Sequence, residues 1–198
     1  MDSAYTLLWT RERCTALRKT GNEGKPLRVL FGGIHQSAPS LKHAGVERGD
    51  VLYPVSVYKG TLYVLAGVIV DRYVEFAEYA VSQLGLEPHK VVGRHEYEIK
   101  ELIEDQCGPV GHRSPYGCGT EVALAARSTP LRFDLAVAPE HPEAISFCPR
   151  RGGRLGLLHV REGNLASAIS LQGSVRRLCG PSAELFANLV GLSEKSVR

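Results

Sequence analysis

A short basic segment near the end of the chain carries its densest positive charge. Arg150, Arg151 and Arg154 stand in the sequence Pro-Arg-Arg-Gly-Gly-Arg, where two glycines loosen the backbone. A planar guanidinium group can contact phosphate through two hydrogen bonds at once, so the segment is typical of a phosphate-binding loop. Arg176 and Arg177 would extend the same track. The alternative that charge alone leaves open is a surface loop whose arginines favour solubility.

The basic segment belongs to a wider asymmetry of charge. The chain has 198 residues and a formal net charge of +3. Residues 148–198 contain eight Lys or Arg against three Glu, whereas residues 1–147 contain sixteen basic and eighteen acidic residues. A basic final quarter favours a partner that carries phosphate.

Residues suited to reading a base lie in the first part of the chain. A base can be stacked on an aromatic ring and read by hydrogen bonds to its edge. Trp9 and Tyr53 offer rings, although rings in short strands are more often core. The predicted cleft consists of Trp9, Arg11, Arg13, His35, Gln36, Ser37 and Tyr53, with Arg132 and Asp134 as partners.

Metal binding and catalysis find less support. The candidate zinc ligands are Cys107, His112, Cys118 and Cys148. Structural zinc sites usually hold the metal through closely spaced pairs, and neither C-x2-C nor H-x3-H occurs, so we predict no metal site. No nucleophile elbow, phosphate-binding Walker loop or dinucleotide fingerprint is found, so we predict no cofactor and favour a binding protein over an enzyme.

The remaining composition is that of a globular protein of the cytoplasm. Its hydrophobic content is 43%, and its apolar runs fall short of the roughly 18 residues that span a bilayer. The acidic start Met-Asp-Ser shows no signal peptide, which predicts a cytoplasmic location. Five scattered cysteines predict reduced thiols rather than a disulfide framework.

Local patterns predict the elements that must position these residues. Residues 5–9 read as a strand, and Thr10 can cap a helix over 11–19. A second strand follows at 27–31, and residues 32–40 are expected to form a polar, glycine-rich loop outside any sheet.

A Gly49-Asp50 step leads into a predicted β-hairpin. Its strands are residues 51–57 and 61–70, joined by Tyr58-Lys59-Gly60. Pro54 lacks a backbone N–H, so we predict that its strand lies at an edge or is bulged there.

The second half is predicted to contain more strand than helix. Amphipathic patterns indicate covering helices over 74–84 and 96–106 and a final helix over 182–192. Strands are predicted at 121–126, 131–138, 145–148, 155–160 and 168–178.

The order strand, helix, strand, Gly-Asp and hairpin resembles the small PUA-like barrels of the ASCH and EVE kind. Residues 4–75 carry most of this resemblance, and residues 170–178 with the last helix are similar to the closing strand and helix of EVE-type domains. Residues 13–18 resemble the Lys-Thr-x-Thr-Ile-Arg segment of small ASCH amidohydrolases. Arg13 replaces the lysine, and Ala16 stands where the catalytic threonine would be, so hydrolysis by that route is not expected.

The resemblance implies an α+β protein, a PUA-like β-barrel with flanking helices and an elaborated C-terminal half. We expect a single domain over 1–198, with a core barrel at 4–75 plus 120–192 and a helical insertion at 74–119. The function that it implies is binding of nucleic acid, RNA or DNA, with a modified or flipped base in the cleft. The alternatives are a hydrolase or other enzyme acting on a nucleotide or nucleic acid, and a protein-interaction module whose strand edge near Pro54 accepts another chain.

Overall fold

The computed structural model describes residues 3–35, 38–93, 98, 121–138, 140–149, 152–172 and 175–192, with the backbone alone at 34, 35 and 38. Within these residues the helices are α1 (Arg11–Lys19), α2 (Leu41–Ala44), α3 (Phe76–Leu84), α4 (Pro88–Val91) and α5 (Gly180–Val190), with a 3-10 turn at Pro142–Ala144. The first strands are β1 (Ala4–Leu8), β2 (Val29–Gly32), β3 (Ile34–His35), β4 (Ala38–Pro39), β5 (Val51–Tyr58), β6 (Thr61–Val64), β7 (Val68–Val74) and β8 (Glu121–Ser128). They are followed by β9 (Ser146–Phe147), β10 (Leu155–Gly156), β11 (Val160–Arg161), β12 (Asn164–Leu165) and β13 (Arg176–Arg177).

One mixed sheet of seven strands organises the protein, which is therefore α+β as predicted. The strand order is β13-β1-β5-β7-β8-β2, and β6 pairs with the last half of β5. Strands β1 and β5 are parallel, and the other pairs in this sheet are antiparallel. None of the helices among the described residues has both the length and the apolar character needed to cross a membrane.

The described sheet is open, which differs from the predicted closed barrel. Closure would require β13 to pair with β2, but the outer side of β13 is occupied by the segment around β9. Cys148 N–H donates to the Arg177 carbonyl at 2.9 Å, and Cys179 N–H donates to the Ser146 carbonyl at 2.9 Å. These bonds use the backbone groups that closure would need.

The two faces of the sheet bury different clusters, because side chains alternate along each strand. On the face covered by α1, the core includes Tyr5, Leu7, Trp9, Leu17, Leu30 and Leu52. On the opposite face, Tyr53, Val55, Val64 and Phe147 pack with Phe186 of α5, and Phe31, Val74 and Val122 pack with Phe76 and Tyr79 of α3.

Helix α1 confirms the sequence prediction at both ends. The Thr10 hydroxyl accepts a hydrogen bond from Arg13 N–H at 3.3 Å, as the capping rule requires. The predicted helix over 74–84 begins two residues later, at Phe76, and ends before Gly85 in a left-handed conformation. The predicted helix over 96–106 lies outside the described residues apart from Glu98.

Pro54 lies inside the sheet, so the edge alternative is wrong and the irregular one is confirmed. The run 61–70 is divided into β6 and β7 by residues 65–67, which lie opposite Tyr53 and Pro54. Leu65 N–H donates to the Pro54 carbonyl at 2.8 Å. Because Pro54 has no N–H to donate in return, the Leu65 carbonyl accepts from Arg132 N–H at 2.8 Å.

Other predicted strands are shorter than expected or irregular. Residues 131–138 run beside β6 through hydrogen bonds such as Val137 N–H to the Leu62 carbonyl, without forming a regular strand. Of the described residues in 168–178, Arg176 and Arg177 are assigned to a strand, and 168–172 fold into a turn closed by a hydrogen bond from Leu171 N–H to the Ala168 carbonyl. The loop expected outside any sheet at 32–40 does pair: Gly32 ends β2 opposite Glu121, and residues 34–35 pair with 38–39 as the hairpin β3-β4.

Gly49-Asp50 ties the start of β1 to the start of β5. Gly49 adopts φ +90°, a conformation that favours glycine. The buried Asp50 carboxylate accepts hydrogen bonds from Ser3 N–H at 2.7 Å and from Glu47 N–H at 2.8 Å. One side chain therefore satisfies two backbone donors from segments 44 residues apart in the sequence.

Replacing Asp50 by alanine should lower the free energy of unfolding by about 2 to 4 kcal/mol, because two backbone donors lose a charged acceptor. Asp50→Asn keeps the shape and one acceptor oxygen, so its loss should be about half as large. Urea unfolding measures both. Equal stability of the alanine variant and the wild type would show that these bonds contribute nothing net.

Cys148 and Cys179 form a disulfide, so the expectation of reduced thiols is wrong for this pair. The bond joins the end of β9 to the residue that precedes α5. Scattered spacing concealed it, because the two cysteines become neighbours only through the pairing of β9 with the β13 segment. Among the described residues, Cys14 has a free thiol.

Reduction should lower the free energy of unfolding by about 3 to 4 kcal/mol, since the bond closes a loop of 31 residues in sequence separation. Urea unfolding with and without dithiothreitol measures this. The double variant Cys148→Ser/Cys179→Ser is the matched control and should not respond to the reductant. A wild type that is equally insensitive, with both thiols titrating as free, would contradict the disulfide.

Candidate nucleic-acid interface

Trp9 and Arg13 form a stacked pair where β1 passes into α1. Trp9 follows the last residue of β1, and Arg13 lies in the first turn of the helix that Thr10 caps. The Arg13 guanidinium carbon lies 4.2 Å from the centre of the Trp9 ring, a cation–π distance. The sequence analysis placed both residues in one cleft, and the structure brings them together.

The polar atoms of this pair are buried without complementary groups. Arg13 Nε and Nη2 and Trp9 Nε1 have no hydrogen-bond partner among the described residues. Burial lowers the pKa of Arg13 to about 10, because the charged form loses hydration. Arg13 as a whole is half-buried, so part of its side chain reaches the surface. Burial of a cation without a paired anion is unfavourable in free energy, and a bound anion would offset that cost.

Cys14 and Ser56 lie beneath the pair. The Ser56 hydroxyl donates to the Trp9 carbonyl at 3.1 Å, and Ser56 also hydrogen-bonds the Cys14 thiol. Burial is the largest influence on Cys14, and it raises the pKa of the thiol. At neutral pH the thiol is therefore protonated, which is the opposite of what an activated cysteine nucleophile needs.

A second aromatic group lies beside Arg11, at the tip of the β5-β6 hairpin. The Arg11 guanidinium carbon is 4.8 Å from the centre of the Tyr58 ring, and Lys59 Nζ is 5.5 Å from it. Tyr58 is 39% exposed. We call Trp9, Arg11, Arg13, Tyr58 and Lys59 the α1 patch. Sequence reasoning identified the turn that contains Tyr58 but assigned it no binding role.

Tyr53 does not belong to this patch, which corrects the predicted cleft. It pairs with Thr6 in the parallel register, so it lies on the face opposite α1. Its ring packs edge-on against Phe186 at 5.6 Å, and burial raises the pKa of its hydroxyl to about 12. Tyr53 is a core residue, the alternative that sequence analysis left open.

The polar loop is separated from the patch in the sheet. His35 is in β3, directly after β2, and three strands (β5, β7 and β8) stand between β2 and β1. Gln36 and Ser37 lie outside the described residues. The sheet order therefore gives no support for placing these three residues beside Trp9.

Arg132 and Asp134 are brought together, but as partners of each other. Arg132 donates from Nε to Oδ1 at 2.9 Å and from Nη2 to Oδ2 at 2.5 Å. This pairing lowers the pKa of Asp134 and raises that of Arg132. Phe133 between them lies under the guanidinium of Arg18, near the end of α1 away from the patch. The charge of each group is therefore compensated by the other.

The predicted phosphate track is divided. Arg154 directly precedes β10 and is exposed, and Arg177 is exposed in β13. Arg176 lies on the opposite side of β13 from Arg177, with its guanidinium carbon 5.7 Å from the centre of the Phe147 ring. Burial lowers the pKa of the Arg176 guanidinium. Arg150 and Arg151 lie outside the described residues.

Comparison with known proteins gives a sparse result. No family model matches the chain, and no curated protein matches it. A solved structure, that of the S128A mutant of the ASCH protein from Zymomonas mobilis, is similar over 85% of this chain and 96% of that chain, with 14% identity and a TM-score of 0.26.

Proposed function

We propose that this protein binds nucleic acid through the α1 patch. The observation that carries the proposal is the Arg13 guanidinium, stacked on Trp9 with two buried nitrogen atoms that have no partner among the described residues. Burying an unpaired cation costs free energy, and a bound phosphate would supply both the charge and the hydrogen-bond acceptors that are lacking.

The surroundings of Arg13 favour nucleic acid over a lone small anion. Proteins that bind single-stranded nucleic acid combine cations along the backbone with aromatic rings on which bases stack. Tyr58 offers an exposed ring between Arg11 and Lys59. Trp9 is only 2% exposed and is covered by Arg13, so it supports the guanidinium rather than a base. Tyr58 is the more exposed ring, so under this proposal a base stacks on it in place of one of the two cations that now lie over it, Arg11 or Lys59.

The PUA-like resemblance of the sequence is consistent with this use of the first strand and helix. Under the proposal the bound strand is RNA or DNA, and an unstacked or modified base would lie against Tyr58. Arg154 and Arg177 are candidates for further phosphate contacts. The alternative of a hydrolase gains nothing from Cys14, whose thiol is protonated, or from Ala16, which has no catalytic group.

Binding of labelled single-stranded RNA and DNA should be detectable by fluorescence anisotropy at low salt and should weaken steeply as salt rises, because phosphate contacts release counterions. Arg13→Ala should weaken binding about tenfold or more, and Tyr58→Ala about fivefold or more. Arg48→Ala is the control of equal charge change, since Arg48 lies beyond the opposite end of β5 and pairs with Asp71. No binding at low salt, or equal losses in Arg13→Ala and Arg48→Ala, would refute the proposal.

Arg13→Met should raise the free energy of unfolding of the unliganded protein by about 1 to 3 kcal/mol, because it removes an unpaired buried charge and keeps an apolar chain against Trp9. The same variant should lose affinity for nucleic acid. Urea unfolding at neutral pH measures the first effect. A stability loss of about 1 kcal/mol or more would instead mean that the guanidinium is stabilising in the free protein.

A further inference from the structure

The two unpartnered nitrogen atoms of Arg13 lie on the same edge of its guanidinium group. Nε and Nη2 are neighbours on that edge, so their N–H bonds point the same way and form a fork with two donors. Arg132 shows in this protein what such an edge binds, because its Nε and Nη2 donate to the two carboxylate oxygens of Asp134. The same edge of Arg13 therefore matches two oxygen atoms of a single anion.

No carboxylate among the described residues fills this role at Arg13. Ion pairs with carboxylates are formed by Arg18, Arg48 and Arg132. In the part of the chain that the structure describes, no such pair involves Arg13. Cys14 beside it holds a protonated thiol, since burial raises the pKa of that group. An anion that pairs with the Arg13 edge therefore comes from a ligand.

The position of these nitrogen atoms below the surface favours one kind of phosphate over another. Both atoms are buried, whereas Arg13 as a whole is half-buried. A phosphodiester inside a strand has a sugar on both sides, two free oxygen atoms and one negative charge. A phosphate at the end of a strand has a sugar on one side, three free oxygen atoms and a charge of about −1.5 to −2 near neutral pH. The terminal group therefore enters with less obstruction and compensates the buried cation more fully.

We propose that the α1 patch holds the end of a nucleic-acid strand, with a terminal phosphate on the Arg13 edge. This inference rests on the nucleic-acid binding proposed above and adds the chemical group that the site selects. Two oxygen atoms of the phosphate accept parallel hydrogen bonds from Nε and Nη2 of Arg13. A 5′-phosphate and a 3′-phosphate present the same chemistry, and the experiment separates them.

Three single-stranded oligonucleotides of one sequence test the proposal, each with a fluorescent label on an internal base. One carries a 5′-phosphate, one carries a 3′-phosphate, and one has hydroxyl groups at both ends. Fluorescence anisotropy with the full chain should show that one of the phosphorylated strands binds about tenfold or more tightly than the strand with two hydroxyl ends. The preferred strand identifies the end that the site holds.

Two variants of Arg13 separate the fork from the charge. Arg13→Met should abolish the preference for the phosphorylated strand. Arg13→Lys keeps the charge but has no planar fork, so it should reduce the preference about threefold or more. Arg48→Met is the matched control, because it removes an equal charge from an arginine that pairs with Asp71, and it should leave the preference unchanged. Thermal unfolding checks that each variant is folded.

The possible results distinguish this inference from the nucleic-acid binding on which it rests. Equal binding of all three strands, weakened in Arg13→Met, would overturn the terminal-phosphate site and leave the proposed function intact. A preference for a phosphorylated strand that Arg13→Met leaves unchanged would place the phosphate elsewhere and would also overturn the inference. Absence of binding by all three strands would refute both proposals.

Discussion

The parallel pairing of β1 with β5 determines where the chemistry of this protein can lie. Two parallel neighbours cannot be joined by a tight turn, so the chain must leave the end of β1 and return to the start of β5. It leaves through Trp9 and the Thr10-capped helix α1, and it returns through Gly49-Asp50, whose carboxylate holds both strand starts together. The first turn of α1 is consequently held above the far end of β5, where Ser56 contacts Trp9 and Tyr58 contacts Arg11.

Pro54 of β5 shows how the interior of a sheet accommodates a residue without a backbone N–H. Pro54 cannot return the hydrogen bond that it receives from Leu65, and the ladder changes there from β6 to β7. The backbone N–H of Arg132 donates to the Leu65 carbonyl instead. That contact draws the chain after β8 along β6, and it places the Arg132–Asp134 pair near the end of α1 instead of in a cleft with Trp9.

Charge is distributed as separate local sites rather than as one continuous track. The α1 patch forms at the start of a helix, whereas Arg154 and Arg177 are exposed beside β10 and in the edge strand β13. Burial makes the charged forms of Arg13 and Arg176 less favourable, and it lowers the pKa of both side chains. Perturbed pKa values occur often at functional sites, and structural networks produce them as well.

The sequence by itself determined the features that depend on neighbouring residues. The capped helix over residues 11–19, the Gly-Asp turn, the hairpin strands and the proximity of Trp9 and Arg13 all follow from local spacing, because capping, turn geometry and the helical repeat act over a few residues. The tertiary structure alone decided which strands meet and which face each side chain takes. It placed Tyr53 in the opposite core, made Pro54 interior, left the described sheet open and joined Cys148 to Cys179. The two irregularities in the β7-β8 pairing likewise belong to the tertiary structure, since a shift of one residue reverses the face of every side chain that follows, and no local pattern records it.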